Sequence, residues 1–263
     1  MRIGPAMTVD YGIVTERWEM PASSEQLAMQ HCRYRMAGTL AEDKDALEIG
    51  CGAGMGLAYL MRRAKRVVGM DVSSTLIEEA RSHLPEVELH EGDATVLPFP
   101  DDSFDVVLML EMIYYVADVD QMLDECCRVL RPGGVVFICA PNPDRRDFNP
   151  SPFAIRYLNA SEFAQVLRQH GFEPTLYGGF PPDADATWDR ALRPIRRVAV
   201  RLGLIPRSMW AKAIVKRMLY GRLSRLGAIK DGATEYLEPV RLDPAVGSEP
   251  GYKNLYAIGR LVV

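Results

Sequence analysis

A cluster of glycines between a short apolar run and a helix-like stretch is the feature that most limits the fold of this chain. The segment reads Leu-Glu-Ile-Gly-Cys-Gly-Ala-Gly-Met-Gly over residues 47–56. Glycine lacks a Cβ atom and tolerates unusual dihedral angles, so such a loop lets a ligand approach the backbone closely. In open parallel sheets the ligand crevice lies beyond the carboxyl ends of the strands, where this loop falls. The glycines alone also fit an ordinary tight turn.

Apolar, strand-like runs alternate with helix-like stretches from residue 45 to residue 180. The strand-like runs cover residues 46–50, 66–71, 87–93, 103–110, 135–141 and 172–180. Helix-like patterns cover residues 73–84, 119–130 and 161–170, and a further helix is expected at Ser24–Ala41. This alternation predicts right-handed βαβ units. The fold class is therefore α/β and Rossmann-like, with a mostly parallel sheet and helices on both faces.

The spacing of the glycines excludes two common nucleotide-binding motifs. The dinucleotide pattern G-x-G-x-x-G fails because its sixth position would be Met55 or Leu57, depending on the frame. The phosphate-binding pattern G-x-x-x-x-G-K-[ST] does not occur. What remains is an acidic residue followed by alternate glycines, namely Glu48, Gly50, Gly52 and Gly54.

Two further acidic residues end the next two strand-like runs. Asp71 closes the run 66–71, where a carboxylate can accept both ribose hydroxyls of a nucleoside. Asp93 closes the run 87–93, where its side chain can accept from an adenine amino group while the Ala94 N–H faces a ring nitrogen. Either aspartate alone also suits a helix N-cap. A glycine loop and two acids at three neighbouring strand ends together predict a nucleoside site.

These segments resemble the class I S-adenosylmethionine-dependent methyltransferases. LEIGCGAG is similar to the glycine motif of that family, VVGMD to its ribose-binding strand, and EGDATVLPFPDDSFDVV to its adenine-binding segment. RVLRPGGVVFICAPN resembles the turn into its fifth strand. The resemblance covers about residues 45–180 and implies S-adenosyl-L-methionine as cofactor, with S-adenosyl-L-homocysteine as its product. It also implies a seven-stranded sheet whose last strand, residues 254–263, is antiparallel.

The resemblance assigns roles to individual positions of the donor site. The implied cofactor-binding residues are Glu48, Gly50, Cys51, Gly52, Gly54, Asp71, Val72, Asp93, Ala94 and Leu110. Glu48 would orient the loop and approach the methionine ammonium group, and the backbone near Leu110 would face the methionine part. In such enzymes an N-terminal helix often closes over the donor, which makes Tyr34 and Arg35 candidates for binding the donor carboxylate.

The segment after the run 103–110 is expected to border the transferred methyl group. It lacks the Pro-Pro-aromatic motif of amino-directed DNA and glutamine-directed methyltransferases. Glu111 is the first candidate for a general base or hydroxyl acceptor. Contact with the donor ammonium group, or a solvated strand end, is its alternative role. Tyr115 and His31 are the other catalytic candidates, and Tyr115 equally fits aromatic packing against the sheet.

Composition describes an ordinary globular chain with an uneven distribution of charge. The 263 residues are 48% hydrophobic and 25% charged, which excludes a disordered, collagen-like or disulfide-framework protein. The net charge of −4 hides a basic stretch, residues 190–230, with 12 Lys and Arg and no acidic residue. This stretch lies in a gap, residues 181–253, that is too long for a structureless loop. We therefore expect a basic helical insertion there.

The expected organisation has four parts. They are an N-terminal helical cap (1–44), an S-adenosylmethionine-binding core (45–180), the basic helical insertion (181–253) and the last strand of the core sheet (254–263). Three roles fit the insertion. It is a lid over an anionic acceptor such as a lipid-linked glycan, a peripheral contact with an anionic membrane, or a dimerisation or packing element. Nucleic acid is not expected as a partner, because the rest of the chain is acidic.

The sequence predicts a bacterial-type methyltransferase that moves a methyl group by in-line displacement to a hydroxyl of a small molecule or saccharide. A weaker resemblance to bacterial enzymes of polysaccharide and glycolipid pathways favours the saccharide. The alternatives are N-methylation of a small metabolite and a non-catalytic nucleoside-binding or scaffold role. No metal is expected, since no ligand spacing is present. Five cysteines without finger spacing indicate reduced thiols and a cytoplasmic location, and no apolar run is long enough to span a membrane.

Overall fold

Eight strands form one sheet at the centre of the structure, a computed structural model that describes residues 15–145, 148–181, 223–232, 234–243, 245 and 249–262. In chain order the sheet strands are β2 (Asp45–Ile49), β3 (Arg66–Asp71), β4 (Glu88–Glu91), β5 (Phe104–Leu110), β6 (Leu130–Pro141), β7 (Phe172–Gly179), β9 (Val240–Leu242) and β10 (Asn254–Leu261). Two short strands, β1 (Pro21–Ala22) and β8 (Ser224–Arg225), pair separately. The order across the large sheet is β4-β3-β2-β5-β6-β10-β7-β9.

The strand directions confirm the mostly parallel sheet and the antiparallel last strand. Parallel pairing joins β4, β3, β2, β5 and β6, and β10 is antiparallel to both β6 and β7. The strand count differs from the expected seven, because β9 adds an eighth strand along the outer edge of β7. Its three residues, of which only Leu242 is buried, are too few to give a periodic signal.

Helices flank the sheet within the described residues. They are α1 (Ser24–Ala41), α2 (Leu57–Leu60), α3 (Ser74–His83), α4 (Val119–Val129) and α5 (Ala160–Gln169). The start of α1 is fixed by a capping box, in which the Ser23 and Gln26 side chains each accept a hydrogen bond from the backbone of the other. Asn159 and Glu162 form the same arrangement at α5. The N-terminal helix predicted at Ser24–Ala41 is confirmed.

Both faces of the sheet carry an apolar cluster. α4 and α5 pack on one face, and α1, α2 and α3 pack on the other. Side chains alternate between the faces along a strand. In β2, Leu47 and Ile49 belong to the cluster under α4 and α5, whereas Ala46 belongs to the cluster under α1. Glu48 points the same way as Ala46, and this alternation places a buried carboxyl group beneath α1.

The expected basic insertion falls largely outside the described residues. Residues 182–222, where most of the helical insertion is expected, lie in the part of the chain that the structure does not describe. The described residues near its end form β8 and β9 and lead into β10. Among the helices that the structure describes, none combines the length and the apolar character needed to cross a lipid bilayer.

Candidate active site

A cavity of about 810 Å³ opens at the edge of the sheet where the parallel strands end. The residues that follow β2, β3, β4 and β5 line it, and one face of α1 covers it. Because β10 runs antiparallel to its neighbours, its first residue, Asn254, also lies at this edge. The expected site residues that line the cavity are Tyr34, Gly50, Cys51, Gly52, Asp71, Val72, Asp93, Ala94, Leu110, Glu111 and Tyr115. Those that do not are His31, Arg35, Glu48 and Gly54.

The glycine loop turns sharply at Gly50 and stays close to β3. Gly50 has a φ of +72°, and a Cβ atom there would lie 2.6 Å from the Cβ atom of Met112. Both the left-handed backbone and this contact therefore require glycine. The N–H groups of Gly50 and Cys51 donate to the Met70 carbonyl at 2.7 and 3.0 Å, which fixes the loop. Gly54 packs against α3 and does not face the cavity.

Asp71 ties the loop to the end of β3. Its side chain accepts from the Gly52 N–H through Oδ2 and from the Ser73 N–H through Oδ1, both at 2.9 Å. Burial raises the pKa of this carboxyl, although the hydrogen bonds from the Ser73 and Gly52 backbone oppose the rise. Each carboxylate oxygen has a second lone pair. Asp71 can thus hold the loop and still accept the hydroxyls of a ligand.

Asp93, Ala94 and Val72 line the cavity at the ends of β3 and β4. Oδ1 of Asp93 accepts from the N–H and the hydroxyl of Thr95 at 2.9 and 2.8 Å. This contact belongs to a turn and is not the helix N-cap that the sequence left open, because no described helix begins directly after Asp93, and it uses only one of the two carboxylate oxygens. Ala94 is buried, and Val72 exposes 54% of its surface. Together they offer hydrogen-bonding and apolar surface to a flat ring.

Glu48 lies beneath the glycine loop, 1% exposed, and contacts α1. The Tyr34 hydroxyl donates to its Oε1 at 2.5 Å, and its Oε2 has no hydrogen-bond partner among the described residues. Burial raises the pKa of Glu48 to about 7 against the opposing Tyr34 hydrogen bond and Arg33 charge, with Asp71 adding to the rise. The Tyr34 ring also lies over Gly56, where a Cβ atom would come within 1.8 Å of it. These contacts fasten α1 to the loop.

One face of α1 turns towards the cavity. Its lining residues are Gln26, Met29, Gln30, Arg33 and Tyr34, which follow the spacing of three and four expected for one side of a helix.

The expected roles of His31 and Arg35 are not supported, because both lie off this face. His31 Nδ1 is 2.8 Å from the Thr234 hydroxyl, and the Arg35 guanidinium stacks 3.9 Å from the centre of the Tyr236 ring. Both line a second, separate pocket beside Asp231.

Arg33, which is not among the donor-site residues expected from the sequence, is the α1 cation that reaches the cavity. It is 8% exposed, and its Nη2 lies 2.5 Å from Oε2 of Glu16. Its Nε has no hydrogen-bond partner among the described residues. Burial acts to lower the pKa of this guanidinium, but the carboxylates of Glu16 and Glu111 outweigh it, and the pKa is raised. Arg33 therefore presents a permanent positive charge and an unused donor to a ligand.

Glu111 follows β5 with a φ of +62°, a left-handed conformation that is rare outside glycine. Its Oε1 accepts from Asn254 Nδ2 at 3.0 Å and from the Cys139 thiol at 3.5 Å. Its Oε2 accepts from the Tyr114 hydroxyl at 3.1 Å. Burial raises the pKa of this carboxyl, and the charge of Arg33 opposes the rise. The side chain is thus held at both oxygens on the cavity wall.

The sequence named Tyr115 as a catalytic candidate, but the tyrosine that contacts Glu111 is Tyr114. The Tyr115 hydroxyl donates to Ser151 at 3.1 Å, although its ring lines the cavity. The two tyrosines lie in a 3-10 turn, Ile113–Tyr115, where consecutive side chains point in different directions. Only one of them can therefore point at Glu111. The Tyr114 ring stacks on Tyr157 with 4.6 Å between centroids, which fixes its position.

Comparison with known proteins identifies this arrangement. A family model described as a methyltransferase domain matches residues 47–138, which include the glycine loop, Asp71, Asp93 and Glu111. A probable S-adenosylmethionine-dependent methyltransferase of Mycolicibacterium smegmatis is 38% identical over 154 residues, covering 56% of this chain and 57% of that protein. Residues 47–138 belong to a class I S-adenosylmethionine-dependent methyltransferase domain.

Two further similarities extend beyond this methyltransferase domain. A ubiquinone biosynthesis O-methyltransferase of Mesorhizobium japonicum is 30% identical over 164 residues, 59% of this chain and 66% of that protein. The solved structure of YcgJ from Bacillus subtilis superposes with a TM-score of 0.57 at 20% identity, covering 89% of this chain and 99% of that one. That similarity concerns the fold. The chain spans little more than half the length of the Mycolicibacterium relative.

S-adenosylmethionine is the cofactor of this domain, and the buried polar atoms around the cavity fit it. Two residues that line the cavity carry such atoms: Asn254 Oδ1 is an acceptor, and Arg33 Nε is a donor, without a hydrogen-bond partner among the described residues. A methionine group brings an ammonium that donates and a carboxylate that accepts, so the two sets are complementary. In the described part of the chain, no group of three His, Cys, Asp or Glu side chains is placed to hold a metal ion.

The roles of two residues in the site, Arg33 and Asn254, were not predicted from the sequence, for different reasons. Arg33 has a signal in the sequence, because its spacing from Gln26 and Met29 places the three on one helix face. Asn254 has none, because its contact with Glu111 joins residues 143 positions apart.

Proposed function

We propose that this chain is a methyltransferase that transfers the methyl group of S-adenosylmethionine to a hydroxyl of a small molecule or saccharide. The cofactor supplies a methyl group that is already activated on sulfur. The protein then has to align the accepting oxygen and exclude water. The ubiquinone biosynthesis O-methyltransferase among the similar proteins supports a hydroxyl as the acceptor.

The observation that carries the choice of a hydroxyl is the held carboxylate of Glu111. A hydroxyl benefits from a general base as its oxygen attacks, whereas a neutral amine attacks through its lone pair. The hydrogen bonds from Asn254, Cys139 and Tyr114 keep this carboxylate in one orientation on the cavity wall. Because burial raises its pKa, Glu111 is a stronger base than an exposed glutamate.

The other residues of the cavity divide into a donor end and an acceptor end. At the donor end, we assign Asp71 to the ribose, Asp93 with Ala94 to the adenine, and Arg33 to the methionine carboxylate. Arg33 takes the role that the sequence gave to Arg35.

The acceptor end is lined by apolar and aromatic side chains. They are Tyr114, Tyr115, Phe148 and Ile155. Aromatic faces of this kind favour a ring-shaped or otherwise flat acceptor.

The proposal is tested with a donor that is isotopically labelled in its methyl group and a panel of probes. A phenol, octanol and methyl glucoside offer hydroxyls of three kinds, and octylamine offers a nitrogen. Label on a hydroxyl probe supports the proposal. Label on octylamine alone supports the N-methyltransferase alternative, and donor binding without any transfer supports the scaffold alternative.

We also propose that the protein acts in the cytoplasm. All five cysteines are free thiols, which supports the cytoplasm as the site of action.

For residues 190–230, the lid, membrane and dimerisation roles make different predictions. Co-sedimentation with vesicles of anionic phospholipid that fades with salt supports the membrane role. A doubled mass in gel filtration supports dimerisation, and saturable binding of a phosphorylated glycan supports the lid.

A further inference from the structure

We propose that Glu16 is an internal occupant of the site that binds the donor carboxylate. Without donor, the Glu16 carboxylate holds the Arg33 guanidinium, and on binding the carboxylate of the donor takes its place. This inference rests on the proposed function, because it assumes that the cavity binds the donor with its carboxylate at Arg33. It adds a residue that sets donor affinity while making no contact with the reacting atoms.

The contacts of Glu16 place it inside the binding cavity. Its Oε2 accepts from Arg33 Nη2 at 2.5 Å and from Gln30 Nε2 at 3.3 Å, and all three residues line the cavity. The Arg33 side chain is 10% exposed, whereas that of Glu16 is 33% exposed. The guanidinium is therefore the fixed and buried partner, and the carboxylate is the one with access to solvent.

Arg33 is the cation best placed to meet a donor carboxylate. Three cationic side chains among the described residues line the cavity: Arg33, Arg145 and Lys253. Lys253 forms an ion pair with Glu25, and Arg145 lies on the segment after β6. Arg33 directly precedes Tyr34, which touches both the glycine loop and Glu48.

The Glu16 and donor carboxylates compete for this one guanidinium. A buried charge needs a counter-charge, and Glu16 or the donor can supply it. Both together would bring like charges side by side, with Glu111 already acting on the same cation. Exchange of one carboxylate for the other keeps the charge of Arg33 paired in both states.

The segment that carries Glu16 is anchored independently of Arg33. We call residues 15–20 the N-terminal strap. Trp18 donates from Nε1 to the Ala53 carbonyl at 2.7 Å, and its ring stacks on His83 at 4.4 Å. Arg17 forms an ion pair with Glu79 of α3. With these anchors in place, the exchange needs only a rotation of the Glu16 side chain, and the strap stays over the loop.

The exchange predicts a specific pattern of affinities. In Glu16→Gln the competing charge is gone, so a ligand carboxylate meets an unpaired guanidinium and binds more tightly. S-adenosylhomocysteine carries this carboxylate. Methylthioadenosine has the same nucleoside and thioether but lacks the amino-acid group, so its affinity should not depend on Glu16.

Calorimetry with both nucleosides on the full chain tests the inference. We expect Glu16→Gln and Glu16→Ala to bind S-adenosylhomocysteine about tenfold more tightly than the wild type, as the loss of a charged competitor implies. Methylthioadenosine should bind all of them equally. Glu19→Gln is the matched control, since Glu19 lies on the same strap but pairs with the exposed Arg225. Circular dichroism checks that each variant is folded.

Other results would overturn the inference. Weaker binding of S-adenosylhomocysteine by both Glu16 variants would mean that Glu16 holds the donor ammonium group. Unchanged binding would mean that Glu16 does not compete. If the wild type binds neither nucleoside, the proposed function itself fails, whereas normal wild-type binding with unaltered variants overturns only the role of Glu16.

Discussion

At the scale of single residues, the site is marked by three carboxyl groups at the ends of the parallel strands whose pKa values are raised. Glu48, Asp71 and Glu111 each owe the shift first to burial. Each is also hydrogen-bonded, by Tyr34, by the glycine loop, or by Asn254 and Tyr114. Buried carboxyl groups destabilise a fold unless they are paired, so their concentration at one cavity indicates function.

Glu111→Gln separates the role of a base from that of a donor contact. The amide keeps the shape of the side chain but cannot take a proton, so we expect turnover to fall by at least about a hundredfold with the donor Kd unchanged. Tyr114→Phe should also lower turnover, because it removes a hydrogen bond to Glu111. Tyr115→Phe is the matched control and should not. A loss of donor affinity in Glu111→Gln at normal turnover would move Glu111 to the donor site.

Glu48→Gln should change how stability depends on pH. Burial raises the pKa of Glu48 in the folded protein from its ordinary value of 4.5 to about 7, so the stability gained from its protonated form is complete below pH 4.5 and is lost as the pH rises through about 7. Glutamine still accepts from Tyr34 and does not titrate. Between pH 4.5 and 7.5 the wild type should therefore lose up to about 3 kcal/mol of unfolding free energy relative to the variant. Urea unfolding at several pH values measures this, and a constant difference would contradict it.

At the scale of the elements, the orientation of α1 determines which of its side chains face the donor cavity. Arg33 and Arg35 are two residues apart and therefore lie on different sides of the helix. Arg33→Gln should weaken binding of S-adenosylhomocysteine at least tenfold, because a charged hydrogen bond contributes about 1.5–3 kcal/mol. Arg35→Gln should bind normally, since Arg35 stacks on Tyr236 away from the cavity. Calorimetry on both variants checks this, and the opposite result would restore Arg35 to the donor site.

The same helix shows how far a sequence predicts structure. The bounds Ser24–Ala41 follow from local signals such as the cap at Ser23. Which face of the helix meets the sheet depends on packing of residues such as Ala37 against distant strands, so the choice between Arg33 and Arg35 could not be made locally. The same reason hides Asn254 and β9, whose partners lie more than 60 residues away along the chain. Glu48, Asp71 and Glu111 could be found because each lies in or directly after a strand-like run.

At the scale of the whole molecule, one ligand site joins most of the fold. The cavity is built from the ends of four parallel strands, the start of β10, one face of α1 and the N-terminal strap. The residues that line it come from both ends of the described chain. Binding should therefore stabilise the sheet as a unit and not a single loop.

Thermal unfolding measures this coupling. S-adenosylhomocysteine at a hundred times its Kd should add about 2.7 kcal/mol to the free energy of unfolding. For a domain of this size that corresponds to a rise in Tm of roughly 5–10 °C in a single transition. Calorimetric binding with an unchanged Tm, or stabilisation of only part of the transition, would contradict the coupling.

The uneven distribution of charge along the chain also belongs to the scale of the whole molecule. The basic stretch, residues 190–230, lies between β7 and β10, two strands that pair directly in the sheet. Its described end, Ser224–Arg225, pairs with β1 next to the N-terminal strap. The described residues of the stretch therefore join the fold beside the N-terminal strap.

The most direct test of the donor site is the binding of S-adenosylhomocysteine to the wild type and to Asp71→Asn by calorimetry. We expect one molecule to bind per chain, and at least tenfold weaker binding to the variant, because the amide lacks the charge that strengthens the ribose hydrogen bonds. Asp105→Asn is the matched control, since Asp105 pairs with Arg131 at the opposite edge of the sheet. No binding to the wild type at high micromolar ligand, or equal affinity in Asp71→Asn, would contradict the assignment.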